Sequence, residues 1–172
     1  MLHTGRLHGS SSGDGLRWEK VARYWVDHLI AQVRHGRAIT TYLVSESNAT
    51  APSCPTERAI KLAGLPVDEA IAALQRLTAY WQHDYQTPIP AEPDVSVVAL
   101  CSPPEKQRAN AEKQFEKVLK YNDMLLRIWQ KPEAFFEGED WLDWSEKLYR
   151  QMASHTSGAH QKKLGASAHA SG

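Results

Sequence analysis

The groups best suited to chemistry lie near the start of this 172-residue chain, in "TGRLHGSSSGDGLRWEKV", Thr4 to Val21. Two short apolar-bearing runs, "TGRLHG" and "GLRWEK", flank Ser10 to Gly15, a polar Gly-rich segment of the kind that reverses a β-hairpin, and an amphipathic helix follows at once. A strand, turn, strand, helix order can seat a divalent cation where carboxylates project from its two strands. Such a cation acts as a Lewis acid and lowers the pKa of an attacking water. The side chains offered at these places are His8 on the first strand and Arg17, Trp18, Glu19 and Lys20 on the second. Glu19 alone among them is a carboxylate.

The remaining polar groups do not gather into a site. The eight histidines stand at 3, 8, 28, 35, 83, 155, 160 and 169, with no HxxxH pair on a predicted helix, so compact zinc-ligand spacing is missing. The sequence holds no GxxxxGK[ST] phosphate loop, and the chain by itself is not expected to hydrolyse ATP. "GSSSG" has the composition of a flexible linker and not of a nucleophile elbow. "NAT" at Asn48 matches a glycosylation sequon by chance in a protein read as intracellular. "EGEDWLDW" sets acids beside tryptophans, which helix capping and solvation explain more cheaply than metal binding. No cofactor, no bound metal and no small-molecule substrate are expected.

Composition narrows the classes further. The length suits one compact domain with a core of its own. Lys plus Arg equals Asp plus Glu at 20 each, so a contact with nucleic acid needs a local patch or a partner. Cys54 and Cys101 lie far apart without CxxC spacing, as ordinary thiols of a reducing cytosol do. No apolar run approaches the roughly 20 residues that span a bilayer, and residues 1 to 15 lack a signal-peptide core. A soluble cytoplasmic protein is expected.

The elements that must position these groups follow from periodicity. From Trp18 to Val33, Val21, Tyr24, Trp25, Leu29, Ile30 and Val33 recur at helical spacing, and Gly36 is placed to end that helix. "AITTYLV", Ala38 to Val44, is β-branched and aromatic and predicts a strand, with a loop after it. "AIKLAGL", 59 to 65, is read as another short extended piece, although periodicity alone does not separate strand from helix there. A second helix is expected from near Pro66 to about Gln86, with Ile71, Leu74, Leu77, Trp81 and Tyr85 as its stripe, stopped by prolines at 88, 90 and 93. "VSVVAL", Val95 to Leu100, predicts a strand. "SPPEKQ" then opens a third helix to about Tyr121, whose thin apolar face of Ala111, Phe115, Val118 and Leu119 suits a surface position.

Met124 to Met152 is dense in aromatics. Trp129, Phe135, Phe136, Trp141, Trp144 and Tyr149 can each bury about 150–250 Å², as core or subunit interface sooner than as a base-stacking platform. With Trp25 of the first helix they are the candidate interface residues. Residues 154–172 read as a disordered or non-native tail beyond a domain spanning 1–153.

The order "GLRWEKVARYWVDHLIAQ", "VDEAIAALQRLTAYWQHDYQTPIP" and "DWLDWSEKLYRQM" resembles the C-terminal domain of the exodeoxyribonuclease V gamma chain, RecC, over roughly Gly5 to Met152. The resemblance rests on the Trp and His-Leu of "RYWVDHL", the "EA...L..L...Y" helix followed by "PIP", and the closing "LYRQM". It implies an α/β (α+β) fold, helix-rich with a small mixed sheet, similar to a degenerate PD-(D/E)xK nuclease. RecC chains are much longer, so the resemblance also implies a fragment, N-terminally incomplete, lacking a helicase-like portion upstream and a last apolar segment downstream.

In active relatives of that fold a Gly-x-x-Asp on the first strand and an Asp-Tyr-Lys-like triplet on the second hold the metal. Here "GRLH" puts His8 at the first Asp position. "RWE" puts Arg17 at the acidic place and Glu19 at the Lys place, whereas "WEK", one residue along, puts Trp18 at the acidic place and restores Lys20. Neither register leaves a carboxylate pair. A cationic Arg17 would repel a divalent ion with an energy on the order of 4 kcal/mol per unit charge at close range.

What the resemblance implies of function is a non-catalytic structural and DNA-guiding part of the RecBCD helicase-nuclease in recombinational repair of double-strand breaks. Its partners would be RecB-like and RecD-like subunits of a heterotrimer, with DNA met through the complex and no membrane involved. Two alternatives stay open: an active metal-dependent DNA nuclease with carboxylates from outside the hairpin, and a free-standing helical protein-interaction domain. Arg17, Lys20, Arg23, Arg34 and Arg37 make a locally basic stretch, which a solvated helix face explains at least as well as a DNA contact.

Overall fold

The computed structural model describes residue 7 and residues 16–44, 59–84, 87–129, 131–137 and 140–157. The chain divides into two compact units, residues 1–74 with 154–172, and residues 75–153.

In the first unit, α1 (Trp18–His35) buries Trp18, Val21, Trp25 and Leu29 along one face, the three- and four-residue spacing expected of an amphipathic helix. Glu19 lies in its first turn and Arg34 and His35 in its last, each complementing the helix dipole. Gly36 ends it in the left-handed region, at φ 62°, which a residue with a Cβ adopts only with strain. The amides of Gly36 and Arg37 then reach the carbonyls of Val33 and Gln32, both at 3.3 Å.

The strands β1 (Thr41–Leu43), β2 (Ile60–Leu62) and β3 (Thr156–Ser157) form a three-stranded sheet in the order β1-β2-β3. The small sheet and the α+β class are as expected. Both pairings among the described residues are antiparallel, however, so the sheet they form is not mixed. A parallel neighbour needs a crossover that returns the chain to the same end of the sheet, and both neighbours here run against β2 instead. Leu43 faces Ile60, and Leu62 faces Thr41 on one side and Thr156 on the other. Side chains alternate along a strand, so Leu43, Ile60, Leu62 and Thr156 are buried together while Tyr42 and Lys61 share the exposed face.

Pairing on both sides settles the ambiguous "AIKLAGL" as strand at its centre. It also moves the boundary of the tail. Residues 154–157 belong to the fold, because α7 (Asp140–His155) runs to His155 and Thr156 is only 1 % exposed beside Leu62. Residues 158–172 lie outside the described residues.

Gly64 sits where two segments cross. A Cβ there would stand 2.9 Å from the amide nitrogen of Ile39, 3.0 Å from its carbonyl oxygen and 3.1 Å from the Cβ of Ala38. Backbone atoms cannot rotate away, so Gly64→Ala is expected to cost about 1–3 kcal/mol; a thermal melt of the variant checks this.

The helix α2 (Val67–Asp84) starts after Pro66 with Asp68 and Glu69 in its first turn, as expected. Its inner stripe differs from the expected one. Ala70 and Ala73 are buried while Ile71 is 40 % and Trp81 60 % exposed. The alanine side packs, and size alone had favoured the larger neighbours; Tyr85 lies outside the described residues.

In the second unit, α3 (Pro93–Leu100) overturns the expected strand over 95–100. The carboxylate of Glu92 accepts the amide of Val95 at 2.8 Å, Pro93 fills the first turn, and Asp94 sits at the positive dipole end. These capping groups outweigh the strand propensity of three valines. A 3-10 turn (Pro104–Lys106) leads into α4 (Gln107–Leu119). Ala111, Phe115 and Val118 of α4 are buried at the centre of this unit's core, joined by Val95, Ala99, Leu125, Phe135, Phe136 and Trp141. The thin face read as that of a surface helix is therefore a core face. The unit is completed by α5 (Asp123–Ile128), α6 (Pro132–Phe136) and most of α7.

Candidate functional site

Of the expected opening hairpin the described residues include Leu7 and those from Leu16 on: the amide of Arg17 donates to the carbonyl of Leu7 at 2.8 Å, and Leu7 and Leu16 are both buried. His8 and the Ser10–Gly15 turn lie outside the described residues. The second strand does not extend through "RWEK" as expected. Arg17 is extended and caps α1, and Trp18, Glu19 and Lys20 form its first turn. The physical reason is local: Glu19 suits the positive end of a helix, and burying Trp18, which is 7 % exposed, fixes that turn against the core.

Helical geometry changes what these residues can do together. The Arg17 guanidinium pairs with the Glu19 carboxylate, so the single acid of the group is engaged by a cation. Trp18 faces inward and Lys20 is half-buried. Among the described residues no group of three or more His, Cys, Asp or Glu side chains is placed to hold a metal ion.

Two buried polar residues of the first unit, outside the candidate site residues above, are bonded across its segments. His28 and Gln32, one turn apart on the buried face of α1, are 2 % and 0 % exposed. His28 Nε2 lies 3.1 Å from the carbonyl of Ala63 and Nδ1 lies 2.8 Å from the Thr41 hydroxyl. A carbonyl only accepts, so Nε2 carries the proton and Nδ1 accepts from Thr41. Burial holds the His28 pKa below its ordinary value, helped by the nearby His155 and opposed by the Ala63 carbonyl. The ring packs 5.3 Å from Trp25, which in turn lies 6.0 Å from His155. Gln32 Oε1 accepts the amide of Leu65 at 2.6 Å and that of Ile39 at 3.4 Å, while its buried Nε2 has no partner among the described residues.

An imidazole with both nitrogens engaged is a fastener and not an available base. These bonds tie α1 to β1, to the end of β2 and to the segments on either side. The signal in the sequence was two polar residues at i and i+4 within an apolar stripe.

Four of the seven aromatic candidates are turned inward. Trp25, Phe135, Phe136 and Trp141 are buried, at 3 %, 1 %, 1 % and 6 % exposure. Phe115 meets Phe135 at 4.6 Å and Phe136 at 5.6 Å, Trp129 meets Phe135 at 5.5 Å, and Trp141 meets Phe136 at 5.1 Å. Trp144 is half-buried, edge-on to Tyr80 at 5.3 Å and beneath the Lys147 ammonium at 4.9 Å. The Tyr149 hydroxyl donates to the carbonyl of Ala91 at 3.2 Å. Small units need such rings for their own cores, and Trp25, Phe135, Phe136 and Trp141 are buried within the chain while Trp129, Trp144 and Tyr149 are half-buried. The large apolar side chains left exposed are others, among them Ile30, Tyr42, Trp81, Tyr121, Met124 and Ile128. Of the basic stretch, Arg23, Arg34 and Arg37 are exposed.

No described helix is long and apolar enough to cross a membrane. A search of curated proteins and a search of solved structures each found no match. The family model of the RecC C-terminal domain matches residues 2–101, which carry α1, β1, β2, α2 and α3. That match covers more than half of the sequence and agrees with the resemblance carried by "RYWVDHL" and the helix before "PIP"; the chain belongs to the RecC C-terminal domain family.

Proposed function

We propose that the chain is a non-catalytic structural and DNA-guiding part of a RecBCD-type helicase-nuclease, acting in the cytoplasm in the repair of double-strand breaks beside RecB-like and RecD-like subunits. The observation that carries this reading is the family match over residues 2–101. The start of α1 supports its non-catalytic half: Arg17 engages Glu19, and Trp18 is packed inside. A cation-dependent hydrolytic centre needs carboxylate oxygens free to bind the metal.

Two measurements test it. The purified chain incubated with linear duplex DNA and Mg²⁺ or Mn²⁺ is expected to leave the DNA at the level of the buffer control; degradation abolished by Glu19→Gln would establish an active nuclease instead. Co-expression with RecB-like and RecD-like chains is expected to yield a complex that co-purifies, and a chain that stays alone in that experiment would favour an independent interaction domain.

A further inference from the structure

Residues 95–100 of the second unit, "VSVVAL", are held in a helix against their own composition. They include three valines and a leucine and no proline, glycine or charge, the make-up of six-residue stretches that stack as strands between copies of one chain. Valine loses side-chain freedom in a helix and fits a pleated strand better. In an extended backbone Val95, Val97 and Ala99 would share one face and Ser96, Val98 and Leu100 the other, so both faces would carry small or apolar groups able to interdigitate.

What keeps the segment helical lies mostly outside it. The Glu92 carboxylate accepts the Val95 amide at 2.8 Å, and Pro93 and Asp94 suit the first turn. At the other end the carbonyls of Val97 and Ala99 accept the amides of Cys101 and Ser102, each at 3.0 Å. The Val98 carbonyl accepts the Ser102 hydroxyl at 2.7 Å, and that of Leu100 accepts the Arg150 guanidinium at 3.2 Å. The hydroxyls of Ser96 and Ser145 lie 2.9 Å apart. A helix of eight residues is marginal by itself, so α3 depends on these bonds and on burial. Five of the six residues are buried and Val98 is half-buried. Pro93 and Asp94 before the segment and Pro103 and Pro104 after it are of the types that block strand stacking at the borders of such stretches.

We infer that residues 95–100 are a two-state segment: helical while capped and buried and, once α3 opens, a strand that pairs with the same six residues of a second copy of this chain. A second copy is the partner that the chemistry selects. Identical uncharged side chains match one another in register, and they offer no cation to a phosphate and no charge to an acidic or basic surface. The pairing faces are not surfaces of the folded chain, so the rate of pairing follows how often α3 opens. The inference does not rest on the proposed function.

The test uses the full chain, incubated at the low-urea edge of its unfolding transition. It is expected to form fibres that bind thioflavin T and give the roughly 4.7–4.8 Å cross-strand reflection, with hydrogen exchange in the fibres slowed at residues 95–100. At the same urea concentration Glu92→Ala, which removes the cap, is expected to shorten the lag at least about threefold, while Glu92→Asp keeps a capping carboxylate and stays near the parent. Val98→Lys puts a charge into the segment at its half-buried position, where lysine favours helix over strand. Compared at an equal fraction unfolded, so that any change in stability drops out, it is expected to lengthen the lag at least about tenfold, in the parent and in the E92A background alike. Fibres protected elsewhere, for example at residues 38–44, a lag unchanged by E92A or by V98K, or only soluble or amorphous material would overturn the inference.

Discussion

Phe115→Ala is expected to lower the stability of the second unit by about 3–5 kcal/mol, a large share of the roughly 5–15 kcal/mol that holds a typical domain folded. Phe115 is 0 % exposed and touches both Phe135 and Phe136, with ring centroids 4.6 and 5.6 Å away. Truncation removes the transfer energy of a whole ring. It also opens a cavity that α4 cannot close, because Ala111 and Val118 on the same face are already buried. Phe115→Leu keeps most of the volume and is expected to cost no more than about 1.5 kcal/mol. Urea unfolding followed by tryptophan fluorescence and by circular dichroism measures both. A midpoint for Phe115→Ala close to that of the parent would mean that the aromatic cluster is not the centre of this unit.

The part of this architecture that was legible in the sequence is the part with local causes. The spacing of Val21, Trp25 and Leu29 and the Gly36 stop identify α1, and Pro66 with Asp68 and Glu69 identify the start of α2. Where two local causes compete, counting apolar residues misleads. Val95 to Leu100 has the composition of a strand, yet Glu92, Pro93 and Asp94 supply a cap, a first-turn proline and a dipole-matched acid, and the segment is a helix. The same competition decides "RWEK". As a strand it would line Arg17 and Glu19 along one face; as the first turn of α1 it pairs them and buries Trp18.

What was not legible depends on distance along the chain. His28 meets Thr41 thirteen residues on and Ala63 thirty-five residues on, and nothing in either local stretch specifies that register. The aromatic-dense end is similar. Its rings are visible in the sequence, but whether they face a partner or one another depends on how α4, α5, α6 and α7 assemble. Trp129, Phe135, Phe136 and Trp141 pack with one another and Phe115, whereas Trp144 meets Tyr80 and Lys147 and Tyr149 reaches the carbonyl of Ala91.

His28→Gln is expected to destabilise the first unit by about 2–4 kcal/mol at neutral pH and, more tellingly, to change how that unit responds to acid. The ring is nearly fully buried, and removing it leaves the Ala63 carbonyl and the Thr41 hydroxyl without their partner. Its folded-state pKa is held below the unfolded value of 6.5, chiefly by burial. The unfolded chain therefore takes up the proton first as pH falls. The stability that neutral His28 contributes is fully present above about pH 6.5 and is lost progressively as pH falls toward the folded-state value. Urea midpoints of parent and variant measured from about pH 8 to about pH 5 should thus converge, with the parent falling more steeply. Trp25, 5.3 Å from His28 and 6.0 Å from His155, gives a local fluorescence readout of the same transition. Because the variant still carries His155 and every other histidine of the chain, the narrowing gap isolates position 28. A gap that stays constant across that range would show that the imidazole is protonated equally easily in the folded and unfolded chain, and that it does not fasten α1 to the sheet in its neutral form.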